Sequence, residues 1–172
     1  MRAKSRWIQQ SRTRPVTMEW EGIHALPSFC GIVVIMETKL AKVSLKALER
    51  FVAVACRETR LKGEVNILLT DDRKMRELNR RFRRKDKTTD VLSFPAAAGG
   101  DIAISVPLAK KNARVLGHEV GDELKILILH GALHLKGHDH ERDNGAMARL
   151  EQRLRKKLDL PMSLTERAEK TR

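Results

Sequence analysis

The sequence contains few cysteines and few aromatic residues, and each shortage disfavours a class of protein. The two cysteines, Cys30 and Cys56, are far apart and form no metal-ligand spacing, so we expect reduced thiols in a reducing compartment. Aromatic residues make up only 3% of the 172 residues. This low fraction disfavours the base-stacking surface that many single-strand binders use.

The sequence also lacks a long apolar run and an internal repeat. The apolar stretch at residues 29–36 is too short to span a bilayer, and the acidic residues Glu19 and Glu21 precede it. No signal peptide is recognisable. We therefore expect a cytoplasmic protein without a membrane partner. The sequence leaves its oligomeric state open.

Positive charge, in contrast, is abundant. The length of 172 residues predicts one domain. The formal net charge of +13 predicts a polyanionic partner, and a merely soluble basic protein is the alternative. Two segments concentrate this charge, and in both of them solvation and contact with phosphates are open alternatives. The first basic cluster comprises Arg80, Arg81, Arg83, Arg84, Lys85 and Lys87, and the second basic surface comprises Arg149, Arg153, Arg155, Lys156 and Lys157.

Three histidines in residues 130–140 have the spacing of metal ligands. An apolar run predicts a buried helix that ends in His130 and His134, which are four residues apart and therefore share one face. Gly137 is the residue type that ends helices in a left-handed conformation, so that His140 can return as a third ligand. Three neutral histidines without a fourth protein ligand are typical of a catalytic zinc site. Nickel and manganese remain alternatives.

The spacing of the histidines also matches the extended zinc-protease pattern, with one departure. Gly131 occupies the position at which a protease needs its glutamate general base. The sequence therefore predicts the ion but not peptide hydrolysis. Glu123 lies about two helical turns before His130, where it can either support a ligating imidazole or be an exposed acid in the first turn.

The hydrophobic pattern predicts an α+β fold with a small mixed four-stranded sheet and five or six helices. The metal site is expected in a cleft, on a helix and the turn after it. Strands are expected at 32–36, buried on both faces, and at 65–69, 90–94 and 102–104, with Gly99 and Gly100 as a hairpin turn between the last two. Helix starts are indicated at Ser44, within Thr70-Asp71-Asp72, at Pro107, near Glu119 and at Asp143.

The histidine stretch, with the pattern His-Gly-x-Leu-His-Leu-x-Gly-x-Asp-His, resembles the signature of the YbeY family of bacterial metal-dependent endoribonucleases. The resemblance covers about residues 32–160. Further matching segments are Leu78-Asn79, Phe82-Arg83, Lys85 to Lys87, Thr89 to Pro95, Gly100 to Ile102, and Gly117-His118 through Glu123.

The resemblance implies a zinc-dependent endonuclease that cleaves single-stranded RNA in 16S rRNA 3′-end maturation and ribosome quality control. The implied partners are RNA, the small ribosomal subunit and its assembly factors. Arg83, which follows Phe82, corresponds to the family's active-site arginine. Asp139 fits the family motif beside His140, as an orienting residue or as the general base. Water and the RNA 2′-hydroxyl are both open as the attacking group.

Three segments are therefore expected along the chain. Residues 1–27 are predicted to be a basic, disordered extension, residues 28–160 a single metallohydrolase domain, and residues 161–172 a charged tail. An RNA-binding arm and a start codon assigned too early are alternatives for the first segment, since Met18 is a possible later start. Two competing functions are a metalloprotease-like hydrolase and a non-catalytic ribosome-assembly protein with a structural metal.

Overall fold

The computed structural model describes residues 31–38, 40, 43–140 and 143–162. These residues form a mixed four-stranded sheet and five helices, which confirms the predicted α+β class. The extension at 1–27, Cys30 and residues 163–172 lie outside the described residues. The elements in chain order are β1 (Ile32–Met36), α1 (Leu45–Thr59), β2 (Glu64–Thr70), α2 (Asp72–Arg83), β3 (Val91–Pro95), β4 (Gly99–Ser105), α3 (Val106–Leu116), α4 (Val120–Leu135) and α5 (Ala146–Lys157).

The strands are ordered β1-β2-β4-β3 in the sheet. The first three are parallel, and β3 runs antiparallel to β4 as predicted. The predicted hairpin turn at Gly99 and Gly100 is wrong, because both glycines belong to β4 and pair with Glu64 and Val65 of β2. A Cβ atom on Gly99 would collide with the backbone of Glu64. These glycines therefore permit a close approach of strands, and residues 96–98 make the turn.

The first strand differs from its prediction. We expected β1 to be buried on both faces, but it lies at the edge of the sheet and only Val34 is buried. A continuous run of β-branched residues indicates an apolar strand, but it does not reveal whether a neighbouring strand lies on one side or on both.

Four of the predicted helix starts agree with the structure, whereas α5 begins at Ala146 with Gly145 rather than Asp143 as its N-cap residue. Ser44 and Asp71 are N-cap residues whose side chains accept hydrogen bonds from the backbone three residues later. Pro107 lies in the first turn of α3. Asp143 accepts two backbone hydrogen bonds immediately before and within the first turn of α5. Local sequence thus determines where these helices begin.

Helix α4 lies at the centre of the domain. It contacts α1, α3 and α5 as well as strands β3 and β4, and its apolar run from 126 to 129 is at most 1% exposed. At Gly131 the helix comes so close to β4 that a Cβ atom would lie 2.8 Å from Ile102 Cδ1. None of the helices in the described ranges is both long enough and apolar enough to cross a membrane.

Candidate metal centre

Three imidazole rings meet at the end of α4. One ring nitrogen from each of His130, His134 and His140 lies within 4.8 Å of the other two. The ring centroids are 4.7 Å apart for His130 and His134, and 5.4 and 5.3 Å from these two to His140. The structure therefore brings together the three histidines that the sequence indicated.

The turn after α4 delivers the third histidine. Gly137 has a φ of 96°, a conformation that glycine adopts without strain. Its backbone N–H donates to the carbonyl of His134 (2.9 Å), and the N–H of His138 donates to the carbonyl of Leu133 (3.1 Å). These bonds reverse the chain, so that His140 faces the end of the helix that it has just left.

Two hydrogen bonds orient the rings on α4. His130 Nδ1 lies 3.0 Å from a carboxylate oxygen of Glu151, and His134 Nδ1 lies 2.9 Å from the carbonyl oxygen of His138. A carboxylate and a carbonyl accept hydrogen bonds, so both Nδ1 atoms carry a ring hydrogen and both rings turn Nε2 towards the other histidine. Those two Nε2 atoms are 3.0 Å apart. At this separation one cation can contact both nitrogens.

The protonation state of the cluster also suits a cation. Burial, followed by the nearby His130 and His140, lowers the pKa of His134 to about 4. This imidazole is therefore neutral at pH 7, as metal ligation requires. The donor set fits zinc, which binds imidazole nitrogen and is commonly held by three histidines in catalytic sites.

The three histidines differ in exposure to solvent. His130 is buried at 3% exposure, His134 is half-buried and His140 is exposed. The cluster consequently opens to solvent on the side of His140, where a large substrate has access.

The carboxylate that supports the cluster is Glu151 of α5, which the sequence interpretation did not identify. Glu123, which we considered for this role, instead lies 2.7 Å from Nε2 of His118. The alternative of an exposed acid is wrong, because Glu123 is 0% exposed. Glu151 could have been recognised from its position between the inward-facing Met147 and Leu154, since a carboxylate on an apolar helix face requires a partner.

Arg83 is linked to the metal helix through one residue of β3. Its Nη2 donates to the carbonyl of Ser93 (3.1 Å), and the hydroxyl of Ser93 donates to the carbonyl of Gly131 (3.3 Å), the residue after His130. The preceding Phe82 packs edge-on against Phe94, with centroids 5.0 Å apart. The hydrogen bond of Arg83 and the ring contact of Phe82 thus attach the end of α2 to β3, which lies beside α4.

Every residue of the first basic cluster is exposed, and two hydrogen bonds from the buried Asn79 hold its backbone. The side-chain amide of Asn79 donates to the backbone carbonyl of Lys87 (2.7 Å), and the backbone carbonyl of Asn79 accepts from the N–H of Lys85 (3.3 Å). The second basic surface is partly engaged within the chain. Lys157 pairs with Glu58 (2.7 Å), and Arg155 donates to the carbonyl of Leu160. Arg83 of the first cluster also bonds within the chain, but this bond connects the cluster to the strand beside the metal helix, which makes the first cluster the better candidate for contact with phosphates.

Asp139 lies beside His140 and is half-buried. Its negative charge acts on the cluster, because it opposes the lowering of the pKa of His134. Its backbone carbonyl accepts the N–H of Asp143 (3.0 Å), which connects the ligand turn to the start of α5. Asp139 thus stands close enough to influence the histidines.

Comparison with known proteins gives a consistent family match. Residues 33–159 match the family model described as "Endoribonuclease YbeY". A protein of that name from Koribacter versatilis is 54% identical over 141 residues, which are 80% of this chain and 93% of the relative. Another of that name, from Nautilia profundicola, is 52% identical over 111 residues, which are 62% of this chain and 80% of the relative.

A solved structure has the same fold. The solution structure of TM1509 from Thermotoga maritima superposes with a TM-score of 0.51 at 28% sequence identity. The superposition covers 73% of this chain and 85% of the other.

Proposed function

The chain belongs to the YbeY family, and on this basis we propose that it is a zinc-dependent endoribonuclease of single-stranded RNA. The proposed role is 16S rRNA 3′-end maturation and ribosome quality control in the cytoplasm. The observation that carries the proposal is the convergence of one ring nitrogen from each of three histidines within 4.8 Å, in a cluster that opens to solvent. Residues 28–160 form the catalytic domain in this proposal.

His130, His134 and His140 are the proposed zinc ligands. Bound zinc would supply a Lewis acid that polarises a phosphoryl oxygen and would lower the pKa of bound water to about 7. The chain contributes the orientation of the rings: Glu151 and the carbonyl of His138 hold the Nδ1 hydrogens and turn the Nε2 atoms towards one another. Burial contributes the neutral state of His134.

Arg83 is the proposed partner of the scissile phosphate. A guanidinium group presents a planar fork of donors that matches two phosphate oxygens. Its bond to Ser93 restrains the side chain beside the strand that contacts α4. Loss of a charged donor at a developing oxyanion typically costs about 10²–10³ in rate, or about 3–4 kcal/mol.

Asp139 is the proposed orienting residue for the attacking group. It neighbours His140 and is half-buried, so its carboxylate can accept a hydrogen from water or from the RNA 2′-hydroxyl. A carboxylate beside a ligand also orients that ligand, and this is the role we favour over proton abstraction.

The proposed substrate contacts are made mainly with the sugar-phosphate backbone. The first basic cluster supplies exposed positive charge, and aromatic residues suitable for stacking are few. The small ribosomal subunit and its assembly factors are the proposed partners, because the substrate is part of that subunit.

The two competing functions are less well supported. A glutamate at position 131 would complete the protease pattern, but its Cβ would lie 2.8 Å from Ile102 of β4, closer than van der Waals contact. A purely structural metal site is normally closed by a fourth ligand. The cluster found among the described residues has three members, and the third is exposed.

One experiment separates these functions. Purified zinc-loaded protein is given labelled single-stranded RNA and casein, and its zinc content is measured. Arg83→Ala and His134→Ala should both abolish RNA cleavage, whereas zinc content should fall only in His134→Ala. Arg73→Ala is the control, because it removes one exposed charge from the opposite end of α2. Casein cleavage, or RNA cleavage that tolerates both changes, would contradict the proposal.

A further inference from the structure

We propose that Glu151 is a positioning residue whose carboxylate, by holding the ring of His130, sets the affinity of the histidine cluster for its metal. The inference rests on the proposed function, since it takes His130 as a ligand. Glu151 lies on α5, is 0% exposed, and places Oε1 3.0 Å from Nδ1 of His130. The side chain of His130 is itself only 4% exposed.

The location of this carboxylate is unfavourable unless it has a function. It projects from the apolar face of α5, between Met147 and Leu154, into the core. A buried carboxylate loses its hydration and is tolerated when hydrogen bonds and charges replace it. An aliphatic residue at position 151 would avoid this loss. The contact with His130 is one of the interactions that compensate the burial of this acid.

The hydrogen bond to Glu151 fixes two properties of His130. It places a hydrogen on Nδ1, and it orients the ring so that Nε2 faces His134. His134 has only a neutral carbonyl acceptor, contributed by His138. The two ligands on α4 are thus unequal, and His130 is the one supported by charge.

A second buried pair in the same domain provides a matched control. Glu123 is also 0% exposed and also bonds an imidazole, since its Oε2 lies 2.7 Å from Nε2 of His118. His118 is not part of the three-histidine cluster. Replacing Glu123 removes the same charge from a similarly buried environment without changing the hydrogen bond to His130.

The test measures zinc affinity by competition with a fluorescent chelator, using the full-length chain. Glu151→Gln keeps the size of the side chain but removes its charge, and we expect zinc to bind about 10–100-fold more weakly. Glu123→Gln should leave zinc affinity unchanged. Unchanged affinity in Glu151→Gln, or an equal loss in both variants, would overturn the inference. His134→Ala distinguishes failure of the metal site itself, because that site is wrong if zinc binds this variant as tightly as the unchanged protein.

A second measurement does not depend on the folding of any variant. In the zinc-loaded, unchanged protein, nitrogen NMR of labelled histidine should show the ring hydrogen of His130 on Nδ1 at pH 7. A ring hydrogen on Nε2 would overturn the inference directly. Where Glu151→Gln folds, the Nδ1 hydrogen resonance should move, whereas Glu123→Gln should leave it in place.

Discussion

Replacing Gly131 by alanine tests how closely α4 packs against β4. The added Cβ would lie 2.8 Å from Cδ1 and 2.9 Å from Cγ2 of Ile102. Ile102 is itself 1% exposed and surrounded by core residues, so it cannot move away freely. Overpacking of this kind costs about 1–3 kcal/mol. The higher helix propensity of alanine compared with glycine offsets about 1 kcal/mol of this cost, which leaves a net loss of about 0–2 kcal/mol.

The same helix contains a matched control. A Cβ added at Gly121 would meet nothing within 4 Å, so Gly121→Ala should be neutral or stabilising by up to about 1 kcal/mol. Ile102→Val removes the Cδ1 atom nearest to the added methyl. The free-energy loss of the double variant Gly131→Ala/Ile102→Val should therefore be smaller than the sum of the two single losses.

The assay is the free energy of unfolding in urea, measured in metal-free and zinc-loaded protein. Zinc affinity should fall with Gly131→Ala, because any shift of α4 moves the adjacent His130. Stabilisation by Gly131→Ala equal to that of Gly121→Ala would refute the close-packing argument. Gly131→Glu should unfold the protein rather than create a protease, since it would bury a carboxylate against the sheet.

Three further predictions concern pH, the loop after α2 and salt. Because the pKa of His134 is about 4 in the folded chain and about 6.5 when unfolded, the unfolded chain binds more protons between these values. The unfolding free energy of the metal-free protein should therefore fall as the pH drops from 6.5 towards 4, and urea titrations should show a weaker fall in His134→Gln. Asn79→Leu, which removes the bond to the carbonyl of Lys87, should lower the unfolding free energy by about 1–3 kcal/mol in the same assay. Replacing Arg80 and Lys85 by glutamine should reduce the salt dependence of RNA binding, with a slope of log K against log salt that is smaller by roughly 0.7 for each phosphate that the variant no longer neutralises. Fluorescence anisotropy at several salt concentrations measures this slope. An unchanged slope would show that Arg80 and Lys85 do not contact RNA phosphates.

The histidine cluster could be predicted from the sequence because its geometry is local. His130 and His134 are one helical turn apart, and the positive φ of Gly137 brings back His140 within the same short stretch. Helix repeat and glycine conformation alone determine these relations.

The supporting residues could not be predicted in this way, because tertiary packing brings them to the site. Glu151 reaches His130 from a different helix, and Glu123 lies on α4 itself but turns to His118. Periodicity indicates that a residue faces inward but does not identify its partner. The same limit explains β1, whose residues contain no indication that only one strand would lie beside it.

The separation along the chain between the two parts of the site has a consequence for the order of folding. The three histidines need only one helix and its following turn, whereas the link from Arg83 to Ser93 and Gly131 needs β3 docked beside α4. Contacts between distant segments form at a greater cost in chain entropy. We therefore expect zinc to accelerate refolding by nucleating the α4 turn, and nuclease competence to be recovered later than zinc binding.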